Sequence, residues 1–374
     1  MKIGVDAQTL LGDNAGVAYY TRGILKEVLR QDQKNRYNLL FFHPFYRKFN
    51  QIFERSDNFH YGIEKTIPYK VFYKLHKLGI KIPLEIFFGK HDLYFFPNFV
   101  VYPHRLGKSV VVVHDLAFEK VPQYVQDKNV RFLKKFVPRS LSEADHVVVT
   151  SEYTKADVVE IYGISEDNIT VIYPGVDLEK FRPSSPARIS QVREKYGLAK
   201  PFILYLSTLE PRKNVLSIIK AFAGFNNKKG YQLVLAGKRS WQDREIFEKV
   251  KELGLEESVV FPGYIPDQDK PDLLSAAEVF VYPSFFEGFG MPVIEAQACG
   301  TPVIASNVTS LPEVGGNAAV YVDPNDADGL TRSLEEILSS SSRRENLAKM
   351  GLANVRRFSW ENSARNLIQV FERV

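Results

Sequence analysis

One cysteine, Cys299, stands in 374 residues, so no disulfide can form within the chain and a reducing compartment is its natural setting. Its apolar surroundings make core packing its expected use. Long apolar runs are missing as well, and nothing approaches the ~18 consecutive apolar residues of a membrane span. Met1 and Lys2 lead straight into the strand-like IGVDA, without the pattern of a secretion signal. The expected location is cytoplasmic. The glycines after this first apolar run do not read GxGxxG, and no acidic residue is spaced for a nicotinamide ribose, which argues against a dehydrogenase. No His, Asp and Glu cluster stands at metal-ligand spacing, so neither a metal nor another cofactor is expected. Nucleic-acid-binding motifs are absent too, and nucleic acid is not an expected partner.

What is present is ordinary for a soluble protein: 45% apolar and 25% charged residues, with a net charge of +5. The length suits two domains. Short apolar runs at 3–7, 38–42, 92–96, 109–113, 146–150 and 168–172 read as strands. Helical periodicity over 17–30, 128–144 and 152–162 fills gaps between them. Residues 173–201 carry Pro174, Gly175, Pro183 and Pro186, the composition of a connection. Strand-like runs return at 202, 231–236, 259–261 and 279–282, with amphipathic helices expected at 326–338, 343–355 and 359–374. The fold class is therefore α/β, with two Rossmann-like doubly wound domains. The expected division is 1–175, a linker 176–200, a second domain 201–357 and a last helix 358–374.

The richest stretch is 287–306, EGFGMPVIEAQACGTPVIAS, which follows a short buried strand. Pro292 suits the start of a helix and Gly300 the position just past its end. That places Glu287 on the loop leaving a strand and Glu295 in the first helical turn, where both can flank a crevice at the carboxyl end of a parallel sheet. Between them, Gly288 and Gly290 let the backbone approach a ligand and offer the amides of Phe289, Gly290 and Met291. Carboxylates that accept and amides that donate suit a polyhydroxylated ligand.

Glu, seven residues and Glu, with FG-x-P after the first and ACGTPVIAS after the second, closely resembles the retaining glycosyltransferases of family four. The resemblance implies the GT-B fold, with an acceptor-side first domain and a nucleotide-sugar-binding second domain facing a central cleft, and the last helix crossing back to the first domain. It also implies that Glu287 meets the donor sugar and Glu295 the nucleotide ribose. STLEPRKN, ahead of a predicted helix, puts Arg212 and Lys213 near a helix N-terminus, where paired cations call for an anion. The same stretch resembles the phosphate-binding segment of mannosyltransferases that build surface polysaccharides, and implies that the pair holds a diphosphate. The loop 8–16 opens on another helix N-terminus. Of the family's glycine-rich loop only Gly16 is matched, because Ala18 and Tyr19 stand where a second Gly and an Arg are usual. In VVVVHDLAF, His114 falls at the carboxyl end of a buried strand, and the resemblance implies contact with the donor sugar. Gly237 and Ile265 match loops that surround the base with backbone groups. SLPEV, 310–314, is a further candidate contact.

The resemblance implies a metal-independent hexosyl transfer from a nucleotide sugar, GDP-mannose in the first place, to a glycan or lipid-linked glycan. A UDP-hexose transferase is the near alternative; an epimerase or a non-catalytic nucleotide-sugar binder is the more distant one. From 41 to 140 there are 17 Lys and Arg against 8 Asp and Glu, a surplus of 9. Within it, IPYKVFYKLHKLGIKIP interleaves aromatics with lysines, and Val71, Phe72, Leu75 and Leu78 are expected on one helical face. That face would either dock on anionic lipid or a charged acceptor, which allows peripheral contact with the inner membrane face, or pack inward with its basic side solvated.

Overall fold

Parallel strands covered by helices on both faces read as unbroken apolar runs, because neither face meets water. KSVVVV, FILYL and VFVY are such runs, and all three are buried strands in the computed structural model, which describes residues 1–12, 16–43, 52–53 and 56–374. The chain forms two units. The first comprises Met1–Glu119, Lys128–Gly175 and Phe358–Val374, and the second Lys120–Asp127 and Val176–Arg357.

In the first unit the strands are β1 (Lys2–Asp6), β2 (Arg36–Phe42), β3 (Phe59–Glu64), β4 (Leu93–Phe96), β5 (Lys108–Val113), β6 (His146–Val149) and β7 (Ile169–Val171). All pairings are parallel, in the order β3-β2-β1-β4-β5-β6-β7. β3 has no counterpart in the sequence reading, since FHYGIE is half-exposed and mixes polar residues into its run. The terminal helix Trp360–Arg373 packs against the helix Gly16–Gln31, burying Ala364, Leu367, Val370 and Phe371 in the same core as Ile24, Leu25 and Val28.

The second unit holds β8 (Phe202–Leu206), β9 (Gln232–Ala236), β10 (Val259–Gly263), β11 (Val279–Tyr282), β12 (Val303–Ser306) and β13 (Ala319–Val322). They pair in parallel in the order β10-β9-β8-β11-β12-β13. In both sheets the order reverses once, between β1 and β4 and between β8 and β11, as in dinucleotide-binding folds.

Three expectations need correction. Residues 176–200 are not a bare linker: they carry the helix Pro186–Lys195, whose Arg188 pairs with Asp272 at 3.1 Å, while Lys195 and Tyr196 both reach Asp269 at 2.6 Å. Prolines marked a helix start there, not an irregular stretch. Residues 120–127 group with the second unit, where Tyr124 stacks on Phe285 with ring centroids 4.8 Å apart. On the helix Tyr69–Lys77, the expected common face is divided. Phe72 and His76 are buried, whereas Val71 and Leu78 are 46% and 68% exposed. Aromatic packing of Phe72 with Phe42 and Tyr102 took the inward side.

Candidate active site

Neighbouring strands β8 and β11 end at the reversal of strand order, where open sheets gather ligands. After β8, the 3-10 turn Pro211–Lys213 presents two cations. Asn214, left-handed at φ 57°, then turns the chain into the helix Val215–Gly224, and its Nδ2 donates to the carbonyls of Pro283 (3.0 Å) and Pro324 (2.6 Å). After β11 the chain passes Glu287 and reaches Gly290, whose φ of 101° caps the helix Met291–Ala298. A Cβ at Gly290 would lie 2.5 Å from Leu311 Cδ2, so both conformation and space demand glycine. Because the helix begins at Met291, Glu295 is its fifth residue and not in its first turn.

The two segments meet through their charges. Lys213 Nζ lies 2.6 Å from Glu287 Oε1 and donates to the Tyr282 hydroxyl at 2.8 Å. Arg212 Nη1 stands 3.4 Å from Glu287 Oε2 and donates to the Phe286 carbonyl at 2.9 Å, while Nη2 pairs with Glu210 at 3.1 Å. Lys213 and Glu287 are both buried. Burial pushes the Glu287 carboxyl up, but Lys213 and Arg212 more than offset it, and the group is held below the usual value. Burial, and then Arg212, lower the Lys213 ammonium, with Glu287 opposing. Glu210, Arg212, Lys213 and Glu287 together are neutral. The cations expected to wait for an anion are thus already paired and fixed by carboxylates. A carboxylate has about four lone-pair sites and an ammonium three donors. Lys213, with two donors engaged by Glu287 and Tyr282, has a third to offer.

The loop is fastened from β12's far end. The Ser310 hydroxyl is 2.9 Å from the Glu287 carbonyl and 3.0 Å from that of Phe289, and the Thr309 hydroxyl accepts from the Glu287 amide at 3.2 Å. Ser310 in SLPEV therefore shapes the site. Sequence reasoning had no signal for Tyr282, the last residue of a buried strand, or for Glu210, which meets Arg212 only through the fold of the turn.

Glu295 is buried, and burial drives its carboxyl up to about 7, against the pull of Lys270 and Lys180 and with Asp267 adding to the rise. Phe289 is buried and Met291 half-buried. Gly237 follows β9 with φ 147°, and a Cβ there would come 1.7 Å from the Ser207 carbonyl oxygen. Close backbone packing alone explains that glycine. Ile265, after β10, is buried, which leaves its backbone as the part able to meet a ligand.

His114 and Gly16 belong to the first unit. His114 follows β5; its Nε2 donates to the Pro97 carbonyl at 2.8 Å, and its ring meets Tyr20 edge-on at 4.9 Å. Burial lowers its pKa, so the ring is neutral near pH 7 with Nδ1 as the acceptor. Gly16 opens the helix Gly16–Gln31, and a Cβ there meets nothing within 4 Å among the described residues. The Asn14 and Ala15 of its expected loop lie outside the described residues. Among the described residues, no three His, Cys, Asp or Glu side chains gather as a metal site, and no helix is long and apolar enough to cross a membrane.

This geometry brings a buried Glu–Lys–Arg cluster and a glycine-capped helix together at the switch point of a Rossmann-like sheet. Comparison with known proteins gives the family. The signature "Glycosyl transferases group 1" matches residues 189–373, and "Glycosyltransferase Family 4" matches residues 72–180. O-antigen chain mannosyltransferase B of Escherichia coli is 37% identical over 286 residues, 76% of this chain and 74% of that protein. The sucrose-phosphate synthase of Thermosynechococcus elongatus shares the fold over 100% of this chain and 98% of its own, with TM-score 0.76 and 23% identity. Anabaena HepE, solved in complex with UDP and glucose, does so over 100% and 99%, with TM-score 0.76 and 19% identity. The chain belongs to the group 1 glycosyl transferases, and it is a glycosyltransferase.

Proposed function

We propose that this enzyme moves mannose from GDP-mannose, with retention of configuration, to a glycan or lipid-linked glycan of a surface polysaccharide. The observation that carries the reading is the meeting of Glu287 with Lys213 and Arg212 at the switch point of the second sheet, in a chain 37% identical to an O-antigen mannosyltransferase. As the bond from the sugar's anomeric carbon to phosphate breaks, its electron pair moves onto the diphosphate. In this reading Lys213, Arg212 and the amides of Phe289, Gly290 and Met291 meet that charge, with no reorganisation needed at the moment of reaction. The acceptor oxygen bonds to the anomeric carbon and passes its proton to a departing phosphate oxygen. Glu287 holds the cations before the donor arrives and accepts from a sugar hydroxyl afterwards. Glu295 accepts from the ribose, and the backbones at Gly237 and Ile265 line the base. In the first unit, His114 Nδ1 and the backbone at Gly16 are proposed donor contacts in their own right. The reading calls on no cofactor beyond the nucleotide sugar.

A thermal-shift panel of GDP, UDP, ADP and their sugars tests the donor. A ligand at 100 times its Kd stabilises by about 2.7 kcal/mol, or roughly 5–10 °C for a domain of this size. GDP and GDP-mannose are expected to shift the transition. A shift by UDP compounds alone would refute the donor, and free epimer formed without acceptor would refute transfer.

The acceptor's lipid also bears on the basic helix Tyr69–Lys77. Val71, Leu78 and Ile80 are exposed there between Lys70, Lys74, Lys77 and Lys81, which supports a peripheral contact with an anionic, inner-face membrane. Co-flotation with phosphatidylglycerol vesicles but not phosphatidylcholine vesicles is the expected result. Flotation with neither rules the contact out.

A further inference from the structure

Beside the cluster, the second unit carries a groove of about 490 Å³ that the donor contacts above do not use. It shares a wall with the cluster. Glu210 lines it while holding Arg212 at 3.1 Å, and Phe285, two residues before Glu287, lines it while donating its amide to the Arg212 carbonyl at 2.9 Å. On that wall Tyr124 stacks on Phe285 with an interplanar angle of 6°, and both rings are half-buried. The opposite rim is polar and exposed: Gln242, Glu245, Lys220 and Asn325. Val215 and Ile246 form a buried apolar floor.

The lining selects its ligand class. Glu210 is already paired with Arg212, and Glu245 and Lys220 balance in charge, so the lining carries no surplus cation for a phosphate, and the polar rim disfavours a purely apolar guest. Amide side chains that both donate and accept, next to flat aromatic and apolar surface, suit pyranose rings, which carry hydroxyls on their edges and C–H groups on their faces. The volume falls within the range of pockets that enclose a drug-sized molecule, the size of a short oligosaccharide. Gln242 and Asn214 both border the groove with positive φ, near 58°, a conformation that non-glycine residues hold at some expense and that clusters at ligand sites.

We infer that this groove holds inner sugars of the acceptor glycan, so that the enzyme recognises a chain and not only its terminal residue. The inference rests on the glycosyl-transfer reading above, and deepens it by assigning an acceptor subsite on the second unit.

Titration calorimetry with α-linked mannopentaose tests it independently of turnover. Wild-type protein is expected to bind the pentasaccharide more tightly than methyl α-mannoside. Tyr124→Ala and, separately, the exposed Glu245→Ala are expected to weaken pentasaccharide binding by about tenfold, the effect of one lost aromatic or charge-assisted contact. In transfer assays the same variants should raise KM for mannopentaose while leaving methyl α-mannoside and the thermal shift by GDP unchanged. Equal wild-type affinity for the two sugars, absence of pentasaccharide binding, or equal losses on both acceptors would overturn the inference. Tyr124-dependent pentasaccharide binding without any mannosyl transfer would uphold the groove and refute the proposed reaction. Mannosyl transfer indifferent to chain length would do the reverse.

Discussion

Lys213→Ala separates what the buried cluster does for stability from what it does for chemistry. The substitution removes the nearer of the two cations that face the Glu287 carboxylate, 6% exposed, and leaves the guanidinium of Arg212 at 3.4 Å. Removing one member of a buried pair typically destabilises by about 3–5 kcal/mol, because the remaining charge stays desolvated. Arg212 compensates in part, so the lower end, about 3 kcal/mol, is expected. At roughly 2–4 °C per kcal/mol for a domain of 150–250 residues, Tm should fall by about 6–12 °C. Replacing both partners, Lys213→Met with Glu287→Gln, removes the stranded charge, and Arg212 keeps Glu210 at 3.1 Å. Most of the lost Tm should return. Activity should not: the single variant is expected to lose about 10²–10³ in kcat, the effect of one missing preorganised donor, and the double variant at least as much. The pH dependence gives a second check. Glu287 titrates below its unfolded value of about 4.5, so its contribution is present above pH 4.5 and is lost as pH falls through the folded value. The Tm gap between wild type and Lys213→Ala should therefore narrow below pH 4.5. An unchanged Tm in the single variant, or restored turnover in the double, would refute the reasoning.

Glu295 has the opposite sign: its folded value is raised to about 7, so its contribution is full below about pH 4.5 and is lost as pH rises through 7. Glu295→Gln should remove that slope and gain on the order of 3 kcal/mol at pH 8, read from Tm against pH. If ribose hydroxyls bind the carboxylate, nucleotide binding at pH 7 should also release protons, seen in calorimetry as a heat that varies with buffer ionisation enthalpy. Gly237→Ala places a Cβ 1.7 Å from the Ser207 oxygen and should cost at least about 3 kcal/mol in denaturant unfolding, whatever its part in base binding. Gly16→Ala meets no neighbour among the described residues and should leave Tm unchanged or slightly higher; lower donor affinity in that stable variant would tie the glycine to phosphate, and unchanged affinity would release it. Since burial keeps His114 neutral, kcat/KM should show no ionisation of this residue between pH 7 and 8, and an activity loss there that His114→Gln abolishes would contradict the assignment.

Much of the architecture was legible because each element's pattern is local. The helix over 152–162 and the strand over 279–282 were read to the residue, since a side-chain period of 3.6 or an unbroken apolar run decides each within a few residues. Glu287, Arg212 and Lys213 stood out for a related reason, as charged residues where a strand ends or a helix begins. β3 and the helix Pro186–Lys195 were missed because their patterns are weak and contacts decide them: β3 is held by its ladder to β2, and the helix by Asp269 and Asp272, which lie 74 and 84 residues further along the chain from the groups they bind. The outward turn of Val71 and Leu78 had the same origin, for the pattern did not say which of two apolar sides the neighbouring aromatics would claim.

Taken by itself, the sequence determined two parallel α/β sheets and which loops would bear charge, because period, punctuation and residue chemistry act over a turn or a strand. Only the tertiary structure decided that Lys213 and Glu287, 74 residues apart, form one buried and neutral cluster. The strand order that makes β8 and β11 neighbours closes that distance, and in the low-dielectric site thus formed the paired charges take on their strength, while desolvation outweighs the nearby lysines at Glu295 and lifts its carboxyl to about 7.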